Sequence, residues 1–152
     1  MALFSGRYQA RLDDKNRIII PSRLRDVACE EGAAGYYVRQ GIDNCIVIQT
    51  AARFEQTSAA EADSRIRQTA AGRMLERAIY PQAEFGRCDK QGRLLIPAYL
   101  IEDLHIGREV MIAGVNDRIE VWDSVEWKRV VEQAQREREK RADEVYGKPG
   151  GG

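Results

Sequence analysis

The chain writes one nine-residue pattern twice, and this repetition constrains its fold more than any other feature. Asp13 to Pro21 reads Asp-Asp-Lys-Asn-Arg-Ile-Ile-Ile-Pro, and Asp89 to Pro97 reads Asp-Lys-Gln-Gly-Arg-Leu-Leu-Ile-Pro. The arginines at 17 and 93 stand 76 positions apart, as do the prolines at 21 and 97. Two copies at one offset mark a duplicated unit. Each copy opens on a turn composition, because Asn and Gly tolerate the positive φ of a tight turn. Three aliphatic residues follow, too few for a helix and suited to a short buried strand. Pro then ends the strand and can open a helical turn. The next apolar residue, Leu24 or Leu100, falls at the same place in both copies. The unit therefore reads as strand, tight turn, strand, Pro and short helix, with Asp and Arg facing each other across a hairpin.

The flanking chain fits this unit. From Phe4 to Leu12, Phe4, Tyr8, Ala10 and Leu12 alternate with Arg7, Gln9 and Arg11, the pattern of a half-buried strand. This strand is expected to run into the Asp13 turn, with Ile18 to Ile20 returning beside it. A helix from Ser22 to about Glu31 is expected to stop at Gly32 and Gly35. Tyr36 to Val38 and Cys45 to Ile48 read as strands around a turn at 40–44. Val110 to Ile112 and Ile119 to Trp122 repeat that arrangement. Gly41 pairs with Gly114 and Phe54 with Trp127 at an offset of 73, so a loop in the second copy is expected to be three residues shorter.

Between the copies, about 50–79 reads as a helix, with Phe54, Ala62, Ile66, Ala70, Met74 and Ala78 as its apolar series, Gly72 as a possible interruption and Pro81 as its end. A second helix is expected over about 124–146, capped by Ser124 and densely charged in its later turns. The organisation is repeat 1 at 7–54, a helical connector at 55–83, repeat 2 at 84–127, a charged helix at 128–146 and a disordered tail at 147–152. The fold class is mainly β with α (α+β).

Composition excludes several classes. No run approaches the roughly 18 apolar residues of a membrane span. The N-terminus has too short an apolar stretch for a signal peptide, so a cytoplasmic protein is the default. Cys29, Cys45 and Cys88 form no CxxC pair, which suggests neither a disulfide framework nor a zinc knuckle. Formal net charge is zero, but the first 25 residues carry Arg7, Arg11, Lys15, Arg17, Arg23 and Arg25 against Asp13 and Asp14. Of the 24 basic residues 19 are Arg, the better fork for phosphates and guanine edges; a GC-rich genome gives the same bias.

The first copy, with Gly6-Arg7-Tyr8 ahead and Arg23-Leu24-Arg25 behind, resembles the MraZ family of bacterial transcriptional regulators, as does the second copy with its Ile119-Glu120-Val121-Trp122 ending. The resemblance spans the chain to about residue 130; one copy alone would suggest only the wider AbrB-like class. It implies a swapped-hairpin, AbrB-like double-split β-barrel built from two repeats within one chain. It also implies a homo-oligomeric closed ring. The implied partner is double-stranded DNA: repeated elements ahead of the division and cell-wall gene cluster, the protein's own gene included. The family's Asp-x-x-x-Arg residues fall on Asp13 and Arg17, and on Asp89 and Arg93. One departure is Asn16, where the family's first copy has Gly; Asn can adopt the same turn conformation.

At such a turn, Arg17 and Arg93 could reach a groove and bind guanine O6 and N7 or a phosphate. Asp13 and Asp89 would hold the forks in position. Lys15 and Arg11, and Lys90 and Arg87 in the second copy, would add phosphate contacts. The competing reading is an ion pair that only staples a hairpin. No catalytic group, cofactor, metal or small-molecule substrate is expected. His105, the single histidine, reads as structural, Asp13 and Asp14 as solvated turn charges, and Trp122 and Trp127 as packing residues. The alternative function is an antitoxin-like module that grips a partner protein through the C-terminal helix. A nucleoid-associated location follows from the DNA reading.

Overall fold

The computed structural model describes residues 2–62 and 65–147. Among these, eight strands and five α-helices give a mixed α+β architecture. The first repeat carries β1 (Arg7–Arg11), β2 (Arg17–Ile19), α1 (Ser22–Glu30), β3 (Tyr36–Gln40) and β4 (Ile46–Thr50). The second carries β5 (Glu84–Gly86), β6 (Arg93–Leu95), α4 (Ala98–Asp103), β7 (Glu109–Val115) and β8 (Arg118–Asp123). The connector holds α2 (Ala51–Ala62), a 3-10 turn at Arg65–Gln68, α3 (Ala70–Ile79) and a 3-10 turn at Tyr80–Gln82. The chain closes on α5 (Ser124–Tyr146).

The strand pairing exchanges material between the repeats. Six strands form one antiparallel sheet in the order β1-β7-β8-β4-β3-β5. β1 pairs with β7, setting Arg11 against Glu109, and β5 pairs with β3, setting Phe85 against Tyr37. Each repeat thus gives its first strand to the other repeat's hairpin. Interchanging the repeats leaves this order unchanged, so the sheet has an internal two-fold relation through the β4–β8 junction. The expected β1–β2 hairpin is not formed. β2 instead pairs with β6 in a separate ribbon, with Ile18 opposite Leu94 and the two turns at opposite ends. The ribbon is extended by Ile20 N–H donating to the Gly92 carbonyl at 2.9 Å and by Ile96 N–H donating to the Asn16 carbonyl at 2.8 Å. The strands do not close into one barrel: β1 and β5 end the sheet at opposite edges, and β2 and β6 bond to each other rather than bridging those edges.

Alternation along the strands assigns the two faces of the sheet. Val38, Ile46, Ile48, Val110, Ile112, Ile119 and Val121 face a core completed by Ile18 and Leu94 from the ribbon and by Leu24 and Leu100 from α1 and α4. On the other face, Cys45, Val47 and Trp122 pack with Trp127 and Val130 of α5. The Trp pair is therefore packed, as expected, with ring centroids 6.2 Å apart. On that face Phe54 of α2 also stacks on Tyr80 and packs at a tilt against Tyr37. A buried ion pair, Arg53 with Glu31, ties the start of α2 to the end of α1. Arg53 lies over the Phe4 ring and donates to the Asn116 carbonyl, so the N-terminal segment is anchored there too.

Several local expectations change. The second copy's helix is three residues shorter, α1 having nine residues and α4 six, while the segment after it is one residue longer and its hairpin turn one residue shorter. The register then pairs Gly41 with Cys45 and Val115 with Arg118, so Gly41 corresponds to Val115 rather than to Gly114. Behind the helices, Gly32 (φ +71°) and His105 (φ +54°) occupy matching positions. His105 serves as a left-handed helix terminator, a conformation in which His is enriched. The connector is not one helix. It restarts at Thr69, whose side chain accepts from the Gly72 amide at 2.9 Å, so Gly72 sits inside the first turn of α3 rather than breaking it. Met74, expected inward, is exposed, and Gly72 and Ile79 are the buried residues of α3. Asp123, not Ser124, caps α5 by accepting from the Val125 and Glu126 amides. The side chains of Ala62 and Ile66, and the expected tail beyond Gly147, lie outside the described residues.

Candidate nucleic-acid interface

The two Asp-x-x-x-Arg units form nearly superimposable turns. In the first, Asp13 N–H donates to the Arg17 carbonyl at 2.9 Å and Asn16 N–H to the Asp13 carbonyl at 3.0 Å. In the second, Asp89 N–H donates to the Arg93 carbonyl at 2.9 Å and Gly92 N–H to the Asp89 carbonyl at 3.0 Å. The aspartates work inside the turns. Asp13 Oδ1 accepts from the Lys15 and Arg17 amides at 2.9 and 2.8 Å, and Asp89 Oδ1 from the Gln91 and Arg93 amides at 2.9 and 3.0 Å. The other carboxylate oxygen binds the arginine: Arg17 Nε to Asp13 Oδ2 at 2.8 Å, and Arg93 Nε to Asp89 Oδ2 at 2.7 Å.

These contacts hold both aspartates below the ordinary carboxylate value. The largest cause is the backbone amide of Arg17 for Asp13 and of Arg93 for Asp89; the guanidinium groups and the remaining turn amides add to it. Each aspartate is thus a fixed anion that orients its arginine by one edge. The terminal amino groups of Arg17 and Arg93 make no hydrogen bond among the described residues. That free edge of the fork is the part that can take a guanine or a phosphate.

The ribbon brings the two locked arginines onto one surface. The central residues Ile18 and Leu94 turn inward and are buried, whereas Ile19 and Leu95 share the outer face with Arg17 and Arg93. The register sets Arg17 opposite Leu95 and Ile19 opposite Arg93. The two arginines are therefore diagonal neighbours, with backbones about 7–8 Å apart. The sequence reading took the three aliphatic residues of each motif as a buried strand; the first and third, Ile18 and Ile20 or Leu94 and Ile96, are buried, and period-two alternation was the signal that the middle one, Ile19 or Leu95, faces out.

Two further arginines brace the turns, and the motif did not point to them. Arg108, just ahead of β7, donates through Nη1 to the Asp13 carbonyl at 2.9 Å and to Asn16 Oδ1 at 3.0 Å. Arg25 of α1 donates through Nε to the Ile20 carbonyl at 2.9 Å and lies across Gly92, where an added Cβ would meet its Cζ at 2.9 Å. Each turn is thus braced by an arginine of the other repeat. Arg25 reaches Gly92 through the β2–β6 ribbon, and Arg108 reaches the first turn through the β1–β7 pairing, which Leu12 N–H extends by donating to the Arg108 carbonyl at 2.9 Å.

The remaining expected contact residues divide. Lys15 and Lys90 are exposed at the turn tips. Arg87 is exposed beside the second turn, with its guanidinium 5.8 Å from the centre of the Phe85 ring. Arg11 is tied to Glu109 across the β1–β7 pair. No group of three or more His, Cys, Asp or Glu able to hold a metal occurs among the described residues, and the three cysteines are free. Nor is any helix among them long and apolar enough to cross a membrane.

A family model described as "MraZ protein, putative antitoxin-like" matches residues 3–77 and 79–146. A protein of a Nocardioides species named "Transcriptional regulator MraZ" is 38% identical over 125 residues, which cover 82% of this chain and 83% of the relative. The protein of that name from Finegoldia magna is 36% identical over 128 residues, covering 84% and 85%. That of Desulforamulus reducens is 30% identical over 147 residues, covering 94% and 97%.

Proposed function

The chain belongs to the MraZ family of transcriptional regulators, and we propose that it regulates by binding, in a sequence-specific way, repeated DNA elements upstream of the division and cell-wall gene cluster, its own gene included. The observation that carries this reading is the pair of aspartate-locked arginines on one outer face of the ribbon. A guanidinium held by Nε loses little further side-chain freedom on binding, so its free edge can discriminate between bases rather than merely attract phosphate. Lys15, Lys90 and Arg87 supply phosphate contacts that set position. Arg11 joins them by exchanging part of its pairing with Glu109. Location follows the target, in the cytoplasm at the nucleoid.

A chain with no formal net charge gains little from non-specific attraction. Affinity then comes from several subunits engaging several repeats at once, because every contact after the first is effectively intramolecular. A closed homo-oligomeric ring on repeated DNA is the assembly this requires. A monomeric variant that binds as tightly as the assembled protein would refute it.

The test is fluorescence anisotropy on a duplex from upstream of the protein's own gene, against a scrambled duplex, at two salt concentrations. Wild type should prefer the upstream duplex, and Arg17→Ala or Arg93→Ala should remove most of that preference. Equal, weak binding to both duplexes, unchanged by either substitution, would reduce the motif to a structural staple. A second reading, a grip on a partner protein, rests on α5, whose 23 residues include no buried one. It gains ground only if deleting the later turns of α5 releases a stoichiometric protein partner and leaves DNA binding intact.

A further inference from the structure

The ribbon's outer face carries two exposed aliphatic side chains that no part of the arginine chemistry uses. Ile19 is 58% exposed and Leu95 59%. They are not scattered surface residues. Each stands directly across the ribbon from a locked arginine, Leu95 from Arg17 and Ile19 from Arg93. They correspond across the repeats, since both follow the buried pair Ile18 and Leu94 that lies on the internal two-fold. The face is therefore a four-residue array: two cationic forks on one diagonal and two aliphatic groups on the other.

We propose that Ile19 and Leu95 are specificity-determining residues that contact the C5-methyl groups of thymines in the major groove, one on each side of the internal two-fold. This rests on the DNA-binding reading above and deepens it. Three features favour DNA over another occupant of this face. The two arginine forks present positive free edges, and the neighbouring tips add Lys15 and Lys90 against the exposed carboxylate of Asp14. Thymine presents the one apolar group in the major groove, and a two-stranded ribbon is narrow enough to enter it. Each aliphatic group lies within one residue pair of a fork suited to guanine, so the arrangement matches a thymine one or two base pairs from a guanine. The arginines alone distinguish guanine; they do not distinguish thymine from cytosine at the adjoining pair, whereas a methyl contact does.

The experiment replaces each thymine of the upstream duplex in turn by deoxyuridine, which removes the methyl and keeps every hydrogen-bonding group. Anisotropy is read with full-length wild type, Ile19→Ala, Leu95→Ala and Arg17→Ala, each checked for an unchanged melting temperature and oligomeric state. Expected is a loss of about fourfold in wild-type affinity at particular thymines, the worth of one buried methyl group. Ile19→Ala should lose the sensitivity at one set of thymines and Leu95→Ala at another. Should wild type bind in an Arg17-dependent way with no thymine sensitive to methyl removal, the methyl contact is wrong and the DNA-binding reading stands. Absence of Arg17-dependent binding to any duplex overturns both. If Ile19→Ala and Leu95→Ala instead dissociate the assembly, a second copy of the chain covers this face, and that too overturns the proposal.

Discussion

At the first turn Asn16 holds φ at +60° and presents its side-chain carbonyl to Arg108; at the second Gly92 holds φ at +79° and has no side chain to present, and the guanidinium of Arg25 occupies the space above it. The hydrogen bonds inside the turns match to within about 0.2 Å, so the difference lies wholly in the bracing. The departure from Gly at position 16 is therefore used rather than merely tolerated. An Asn there costs some left-handed strain and returns a second anchor for Arg108, which already holds the Asp13 carbonyl. At position 92 the same side chain would displace Arg25. Duplicated elements can thus keep one geometry while exchanging the contacts that enforce it, provided the brace comes from outside the copied segment.

The comparison breaks most sharply at Gly92. Gly92→Ala places an L-residue at φ +79° and drives Arg25 off the Ile20 carbonyl, so urea unfolding should show a loss of about 2–3 kcal/mol. A loss below that of Asn16→Ala would mean that Arg25 is not a brace. Next in size is Arg108→Ala, which removes two hydrogen bonds from the first turn and should cost about 1 kcal/mol. Its effect should shrink when Asn16 is already Gly, and a double-mutant cycle measures that coupling. Asn16→Gly alone should change stability by no more than about 0.5 kcal/mol, because relief of φ strain offsets the lost Arg108 contact.

Smallest is the dependence on pH. Folding depresses the Asp13 and Asp89 values, so the stability they contribute is complete above the ordinary aspartate value of 3.8 and is lost as pH falls through the lower folded-state values. The advantage of wild type over the Asp13→Asn, Asp89→Asn double variant, measured by urea midpoints, should shrink between about pH 6 and about pH 3. An advantage that grew on acidification would contradict the lock.

Legibility in the sequence followed the range of the interactions. The Asp–Arg lock spans four residues, and its turn composition announced it. The half-buried pattern of Phe4 to Leu12 also reached the structure intact, with Phe4 and Leu12 buried and Arg7, Gln9 and Arg11 exposed. What failed was pairing. The residues of β1 describe a strand with one apolar face, and that pattern is met equally by β2 nearby and by β7 about a hundred residues away. Only the family resemblance indicated exchange between repeats. Arg108 and Arg25 stayed hidden for the same reason, since their targets lie in the other copy. The position of the three-residue deficit was ambiguous because a shortened helix and a shortened loop change the offset alike.

The exchanged first strand has a consequence for synthesis. Arg7 to Arg11 leaves the ribosome early, but the strand it pairs with, Glu109 to Val115, is made about a hundred residues later. At about 5–20 residues per second, β1 waits on the order of 5–20 seconds with its hydrogen-bonding edge open. The hairpin of β3 and β4 forms from neighbouring residues in that interval, yet both its outer neighbours, β5 and β8, are also still to come. Neither half of the chain can complete its sheet by itself. On a polysome, where several nascent copies stand close together, that open edge is equally complementary to the β7 of another copy. The slower a chain closes on itself, the longer that edge stays open to such pairing.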